Sequence, residues 1–181
     1  MSRVVRIGVL LPTAFGRGGE LLADVSALDA AGAYAVLVDG SDPEAFVVLA
    51  AAAAVTRHVK VGCVRGDVFA AGAFAALNRI SGDRALAFSR DGGTAPERTD
   101  GVIIAGLQPG EHEVQAKRLA PAQVWAEVSA PADRRGWAEM LAAYEEARAH
   151  GVVVRWDPRL VDLLRNSDAD DDRSDLQMST G

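Results

Sequence analysis

Two glycine-rich segments, each with an arginine, have the composition of a phosphate-binding loop. The first is Gly16-Arg17-Gly18-Gly19, and the second is Ser89-Arg90-Asp91-Gly92-Gly93. Glycine lets backbone N–H groups approach an anion closely, and a guanidinium adds a counter-charge. The first segment is not a P-loop, because no Gly-Lys-Ser/Thr follows it. Gly16, Arg17, Ser89, Arg90, Gly92 and Gly93 are therefore candidate ligand-binding residues, and a plain flexible connection is the alternative.

An acid, a cysteine and three histidines are the other side chains that could do chemistry. Asp39 follows a predicted strand, where it could contact a ligand, transfer a proton or cap the next turn. Cys63 could be a reactive thiol only beside a base or a helix start; the alternative is a buried, small apolar residue. His58, His112 and His150 form no pair at metal-ligand spacing, so the sequence predicts no metal site.

Strands and helices that alternate along the first half would position these candidates. Runs of β-branched residues predict strands, and apolar residues at helical spacing predict helices. The predicted strands are Val4–Leu11, Ala33–Val38, Val59–Val64 and Arg84–Ser89, and the predicted helices are Glu20–Ala31, Pro43–Thr56 and Val68–Ile80. Such alternation calls for parallel strands joined by right-handed crossovers, whose carboxyl ends meet at one edge.

The second half continues the pattern less regularly. Arg90–Asp100 is polar and predicts a loop, while Gln108–Leu119 is polar without a clear apolar face. Further strands are predicted at Gly101–Leu107, Ala122–Val128 and Val152–Trp156, and helices at Asp133–Ala149 and Pro158–Arg165. An eight-stranded (β/α)₈ barrel needs about 250 residues and at least about 200. The fold class predicted for 181 residues is α/β, with TIM-barrel-like parallel units in a barrel that is either shortened or incomplete and open.

Three stretches of the first half resemble the luciferase-like monooxygenase superfamily of flavin- and F420-dependent oxidoreductases. They are Leu28–Asp39, Asp42–Gly62 and Ala76–Arg84. The resemblance implies a luciferase-like barrel domain over residues 1–165, with FMN or F420 bound at the carboxyl ends of the strands. It further implies monooxygenase-type chemistry on a small organic substrate. The implied cofactor positions include Cys63 and the segment from Ser89 to Gly93, with Asp39 as the implied catalytic acid.

The chain also departs from the family pattern. Arg65-Gly66-Asp67 stands where the family carries His-Pro, and no late Gly-Thr-Pro-Glu stretch follows. The alternative is therefore a homologue that binds no cofactor and acts as a binding or assembly subunit. Open strand edges of an incomplete barrel would favour a homo-oligomer or a place in a larger complex.

Composition excludes several classes of protein. A net charge of −6 argues against nucleic-acid binding. Residues 166–181 hold five acids and one base, which predicts a disordered acidic tail. The longest apolar run, Phe46–Val55, is too short to span a membrane, and Gly8 and Pro12 interrupt any signal-peptide core. The predicted location is cytoplasmic.

Overall fold

Seven parallel strands close into a barrel. A computed structural model describes residues 4–12, 18–40, 44–65, 71–90, 99–120 and 122–165. The strands are β1 (Arg6–Leu10), β2 (Ala35–Asp39), β3 (Lys60–Arg65), β4 (Ala85–Arg90), β5 (Gly101–Ala105), β6 (Gln123–Val128) and β7 (Gly151–Arg155). Each pairs in parallel with the next along the chain, and β7 pairs with β1 from Arg6↔Gly151 to Leu10↔Arg155. The predicted shortened TIM-barrel-like fold is confirmed, and its barrel is closed.

Helices cover the outside of the barrel. They are α1 (Gly18–Ala30), α2 (Ala45–Val55), α3 (Ala71–Ile80), α4 (His112–Leu119), α5 (Arg134–Glu146) and α6 (Leu160–Arg165). Outward-facing strand residues such as Val36 and Val61 pack against helix residues such as Leu28, Leu49 and Trp137. None of the helices in these ranges is both long and apolar enough to cross a membrane. The acidic tail, residues 166–181, lies outside the described residues.

Helix α4 was not predicted from the sequence. A 3₁₀ turn, Pro109–Glu111, precedes it, and its inward face consists of the buried His112 with the partly buried Ala116 and Leu119. The Nε2 atom of His112 lies 3.0 Å from the carbonyl oxygen of Val124 in β6. Apolar periodicity gives little signal for a helix whose most buried side chain is a histidine.

Large side chains fill the interior of the barrel, and glycines on the neighbouring strands leave room for them. A Cβ atom at Gly62 would lie 2.8 Å from Leu37, and one at Gly101 would lie 2.9 Å from the Phe88 ring. At Gly151 it would lie only 2.3 Å from the Trp125 ring. The interior cluster consists of Leu10, Ala35, Leu37, Val64, Phe88, Ile103, Trp125 and Val153. The barrel is therefore a packed core and not a pore.

Asp29 ties the end of α1 to the loop before β3, at the amino-terminal end of the barrel. Its carboxylate accepts hydrogen bonds from the backbone N–H groups of residues 57, 58 and 59 at 2.8, 3.0 and 2.7 Å, respectively. Burial by itself raises the pKa of this carboxyl, but the three N–H donors outweigh it and lower the pKa below its usual value. The ionised form therefore stabilises the folded state.

Arg84, directly before β4, joins the same end of the barrel to the last turn of α2. Its guanidinium donates to four carbonyl oxygens and one hydroxyl, those of Ala53, Thr56, Val59 and Ser81. The last turn of a helix leaves carbonyl oxygens without an intrahelical partner, and a cation there satisfies them. This cluster is structural.

We predict that Gly151→Ala lowers the free energy of unfolding by about 3 kcal/mol, at the upper end for overpacking, because a rigid indole ring cannot yield. Urea denaturation measures the change. Gly72→Ala is the control, since a Cβ atom at Gly72 in α3 meets nothing within 4 Å. Gly72→Ala should be neutral or stabilise by up to about 1 kcal/mol. Equal effects of the two substitutions would contradict the interior packing.

We predict that Asp29→Asn destabilises the fold at pH 7 by about 2 kcal/mol, the scale of hydrogen bonds to a charged group. The folded-state pKa of Asp29 lies below its unfolded value of 3.8. The stabilisation is therefore complete well above that value and is lost as the pH falls through the folded-state pKa. As the pH is lowered from 7 to 3, urea denaturation should show the free energies of unfolding of the Asp29→Asn variant and of the unsubstituted protein converging. Asp24→Asn, on the same helix, is the control and should change the free energy of unfolding at pH 7 by no more than about 0.5 kcal/mol.

Candidate functional site

Polar side chains line the carboxyl-end mouth of the barrel. Side chains alternate between the two faces of a strand. Leu37, Phe88, Trp125 and Val153 point into the barrel, so the residue two positions after each of them also lies on the inward face. These rim residues are Asp39, Arg90, Glu127 and Arg155. An apolar interior thus ends in a charged rim.

Glu127 lies between two arginines at this rim. Its Oε2 atom makes a close ion pair with Nη1 of Arg90, and its Oε1 atom lies 3.2 Å from Nη2 of Arg155. The Glu127 side chain is 10% exposed, the Arg90 side chain 31% and the Arg155 side chain 77%. We call these three residues the mouth triad. Two guanidiniums and one carboxylate give it a charge of +1.

A cleft of about 760 Å³ opens beside the mouth triad, over the ends of β5, β6 and β7. Its volume lies within the roughly 300–1,000 Å³ typical of small-molecule sites. Its walls combine apolar and aromatic side chains with the charged residues Glu127, Arg155, Asp157 and Arg159. The lining includes Pro109, Pro131, Met140, Tyr144, Arg155 and Trp156.

Hydrogen bonds hold the cleft walls in place. The hydroxyl of Tyr144 donates to the carbonyl oxygen of Leu107 at 2.5 Å, and burial raises the pKa of Tyr144. Arg159 donates to both carboxylate oxygens of Asp157, at 2.8 and 2.9 Å, and to the carbonyl oxygen of Ala132. The Arg159 side chain lowers the pKa of Asp157 to about 2. The cleft is therefore largely formed without a ligand.

The structure brings some of the predicted site residues together and separates others. Asp39 and Arg90 both face the mouth. Cys63 is buried on the outer face of β3, within the core that the helices cover. Ser89 also points away from the interior, and its buried Oγ has no hydrogen-bond partner among the described residues. Gly16, Arg17, Gly92 and Gly93 lie outside the described residues.

Sequence reasoning missed Glu127 and Arg155, although it predicted both of their strands. The available signal was a charged residue two positions after a large apolar one near the end of a strand, as in Trp125-Ala126-Glu127. That signal gains meaning only once the inward face of each strand is known.

Known structures share this fold, whereas no protein family and no curated protein matches the sequence. The coenzyme F420-dependent tetrahydromethanopterin reductase of Methanopyrus kandleri is 12% identical at a TM-score of 0.50, over 85% of this chain and 66% of that one. Orotidine 5'-phosphate decarboxylase from Pyrococcus horikoshii is 11% identical, at 0.57, over 88% and 98%. Tryptophan synthase from M. tuberculosis is 16% identical, at 0.53, over 90% and 91%.

These likenesses establish the fold and leave the reaction open. The three structures are named for a reduction, a decarboxylation and an amino-acid synthesis, yet all resemble this chain to a similar degree. An F420-dependent reductase is one of the three. The choice of chemistry must come from the site.

We predict that Glu127→Gln lowers the free energy of unfolding by about 1–3 kcal/mol, because it leaves the mostly buried guanidinium of Arg90 without its carboxylate. Arg90→Gln should destabilise similarly, and the double variant should lose clearly less than the sum. A double-mutant cycle measures the coupling, expected above about 0.5 kcal/mol. The control is the Arg135–Glu139 pair of α5, whose side chains are 89% and 65% exposed. A coupling no larger than that of the control would contradict the role of the mouth triad.

Proposed function

We propose that the protein is a flavin- or F420-dependent oxidoreductase, of the monooxygenase-like class, whose active site is the cleft at the mouth of the barrel. The observation that carries the proposal is a preformed cleft of about 760 Å³ with aromatic and apolar walls beside a cationic triad. A planar, largely apolar ring needs the first feature, and an anionic group of the cofactor or of its substrate needs the second. The sequence resemblance and the F420-dependent structural neighbour support the same class.

The cleft walls suit a flat, conjugated ring system. Tyr144 has its hydroxyl engaged by Leu107, so the ring offers the cleft an apolar surface. Trp156 and Met140 add an aromatic and a polarisable side chain. When bound, such a cofactor would supply hydride transfer, and the protein would orient it and limit the access of water.

The loops after β1 and β4 are the proposed holders of the cofactor's phosphate. The cleft lies over β5–β7, and these three strands are bordered by β4 on one side and β1 on the other. Gly16 and Arg17 follow β1, while Gly92 and Gly93 follow Arg90 at the end of β4. Cys63 and Ser89, whose side chains face outward, would act only through their backbone.

Asp39 is the proposed proton-transfer residue. It occupies the last position of β2, on the inward face at the same mouth. A carboxylate on a strand end can exchange a proton with a ligand held over the barrel.

The second candidate is a binding or assembly subunit without a cofactor, self-associated or part of a larger complex. Barrel closure removes the open-edge argument for it, since all seven strands described here pair on both sides. What favours it is an apolar groove of about 330 Å³ between α1 and α2. Leu21 and Val48 line this groove together with Val47, which is 71% exposed.

We predict that FMN or F420 binds to the purified protein and raises its melting temperature. Absorbance and fluorescence titrations measure the dissociation constant. Trp156→Leu should weaken binding about tenfold, equal to roughly 1.4 kcal/mol. Arg135→Gln, on the exposed face of α5, is the control and should leave binding unchanged. If neither cofactor binds and light scattering shows a stable oligomer, the assembly subunit is the better assignment.

A further inference from the structure

Of the two arginines that line the cleft, Arg155 makes fewer hydrogen bonds and ion pairs with the described residues than Arg159 does. Its side chain is 77% exposed, and its only ion pair with the described residues joins Nη2 to Oε1 of Glu127 at 3.2 Å. Arg159, by contrast, uses all three of its nitrogens on Asp157 and on the carbonyl oxygen of Ala132. Arg155 therefore keeps most of its five N–H groups for a ligand.

Among the charged residues of the cleft lining and the mouth triad, one cation is unmatched. Asp157 is neutralised by Arg159, and Glu127 is neutralised by the close contact with Arg90. The remaining charge is that of Arg155. Arg155 lines the cleft together with Met140, Tyr144 and Trp156, so an anion bound to it would lie beside apolar and aromatic side chains.

Glu127 fixes the position of this cation. With Oε2 on Arg90, the carboxylate is anchored to β4, and its Oε1 faces Arg155 of β7. An arginine held in place by one carboxylate contact loses less side-chain entropy when it binds an anion than an unrestrained one does. Glu127 is therefore a positioning residue.

We infer that the cleft recognises a small organic acid, with Arg155 binding its carboxylate or phosphate group and the part of the cleft that the cofactor ring leaves open holding its apolar body. Arginine binds both kinds of oxyanion through charge-assisted hydrogen bonds. This inference deepens the proposed function by naming the substrate class of the same cleft. It rests on that proposal only in assigning the acid as the substrate.

The test uses three probes of nearly equal shape: phenyl phosphate, phenylacetate and neutral phenylacetamide. Dissociation constants are measured by NMR titration of the full-length protein, with and without FMN or F420. At least one anionic probe should bind about tenfold or more tightly than the amide, as expected for a charge-assisted contact. Arg155→Gln should abolish this preference and leave the affinity for the amide unchanged. Arg135→Gln should keep the preference, and circular dichroism checks that both variants fold.

Two results would overturn the inference. One is equal binding of the charged and neutral probes, or a preference that survives Arg155→Gln. The other is an Arg155→Gln variant that weakens FMN relative to riboflavin but leaves the phenyl probes unaffected, since the oxyanion at Arg155 would then be the cofactor's. A preference for anions that depends on Arg155 without binding of either cofactor would support the inference and refute the redox function.

Discussion

The fit between glycines and large side chains inside the barrel is the constraint on which the rest of the structure depends. The inward positions of Gly62, Gly101 and Gly151 have no room for a Cβ atom, because large side chains of neighbouring strands occupy that space. The fit fixes which residue of each strand faces which residue of the next. Once that register is set, alternation decides which side chains reach the mouth, and Glu127 does so because Trp125 lies against Gly151. The packing of the interior thus determines which side chains form the rim.

The two ends of the barrel have different tasks, as in TIM-barrel enzymes generally. At the amino-terminal end, Asp29 and Arg84 bind backbone N–H and C=O groups of two connections, α2–β3 and α3–β4. At the carboxyl end, the triad and the cleft offer charge and an apolar space. The residues at the first end belong to the stretches that resemble the luciferase-like superfamily. The resemblance therefore reports mainly on how the scaffold is held together, which explains why it says more about the fold than about the reaction.

The sequence predicted the strands well because each is a local run of β-branched or apolar residues, and parallel order follows from their alternation with helices. Closure could not be predicted, since it depends on pairs such as Gly151 and Trp125 that are distant in the chain. Helix α4 was missed because its anchor is the polar His112. Of the rim residues, Asp39 was predicted at the end of a strand and Arg90 as part of the glycine-rich segment from Ser89 to Gly93. Glu127 and Arg155 were not, because their importance comes from meeting across strands and not from any motif.

A mostly buried carboxylate between two arginines is a poor way to stabilise a barrel. Desolvation of such a group offsets much of the attraction, and apolar residues of similar volume often give equal or greater stability. The interior below the triad shows that this chain can fill such space with Phe88, Ile103 and Trp125. The charged side chains of the mouth triad, which lie directly above these apolar residues, therefore need an explanation other than stability. Holding a cation at the edge of an apolar cleft is such a reason, because a surface arginine without Glu127 would have to be ordered by the ligand itself. The triad therefore restricts the chemical class of the ligand more than the fold does, because the fold is shared by proteins named for a reduction, a decarboxylation and a synthesis.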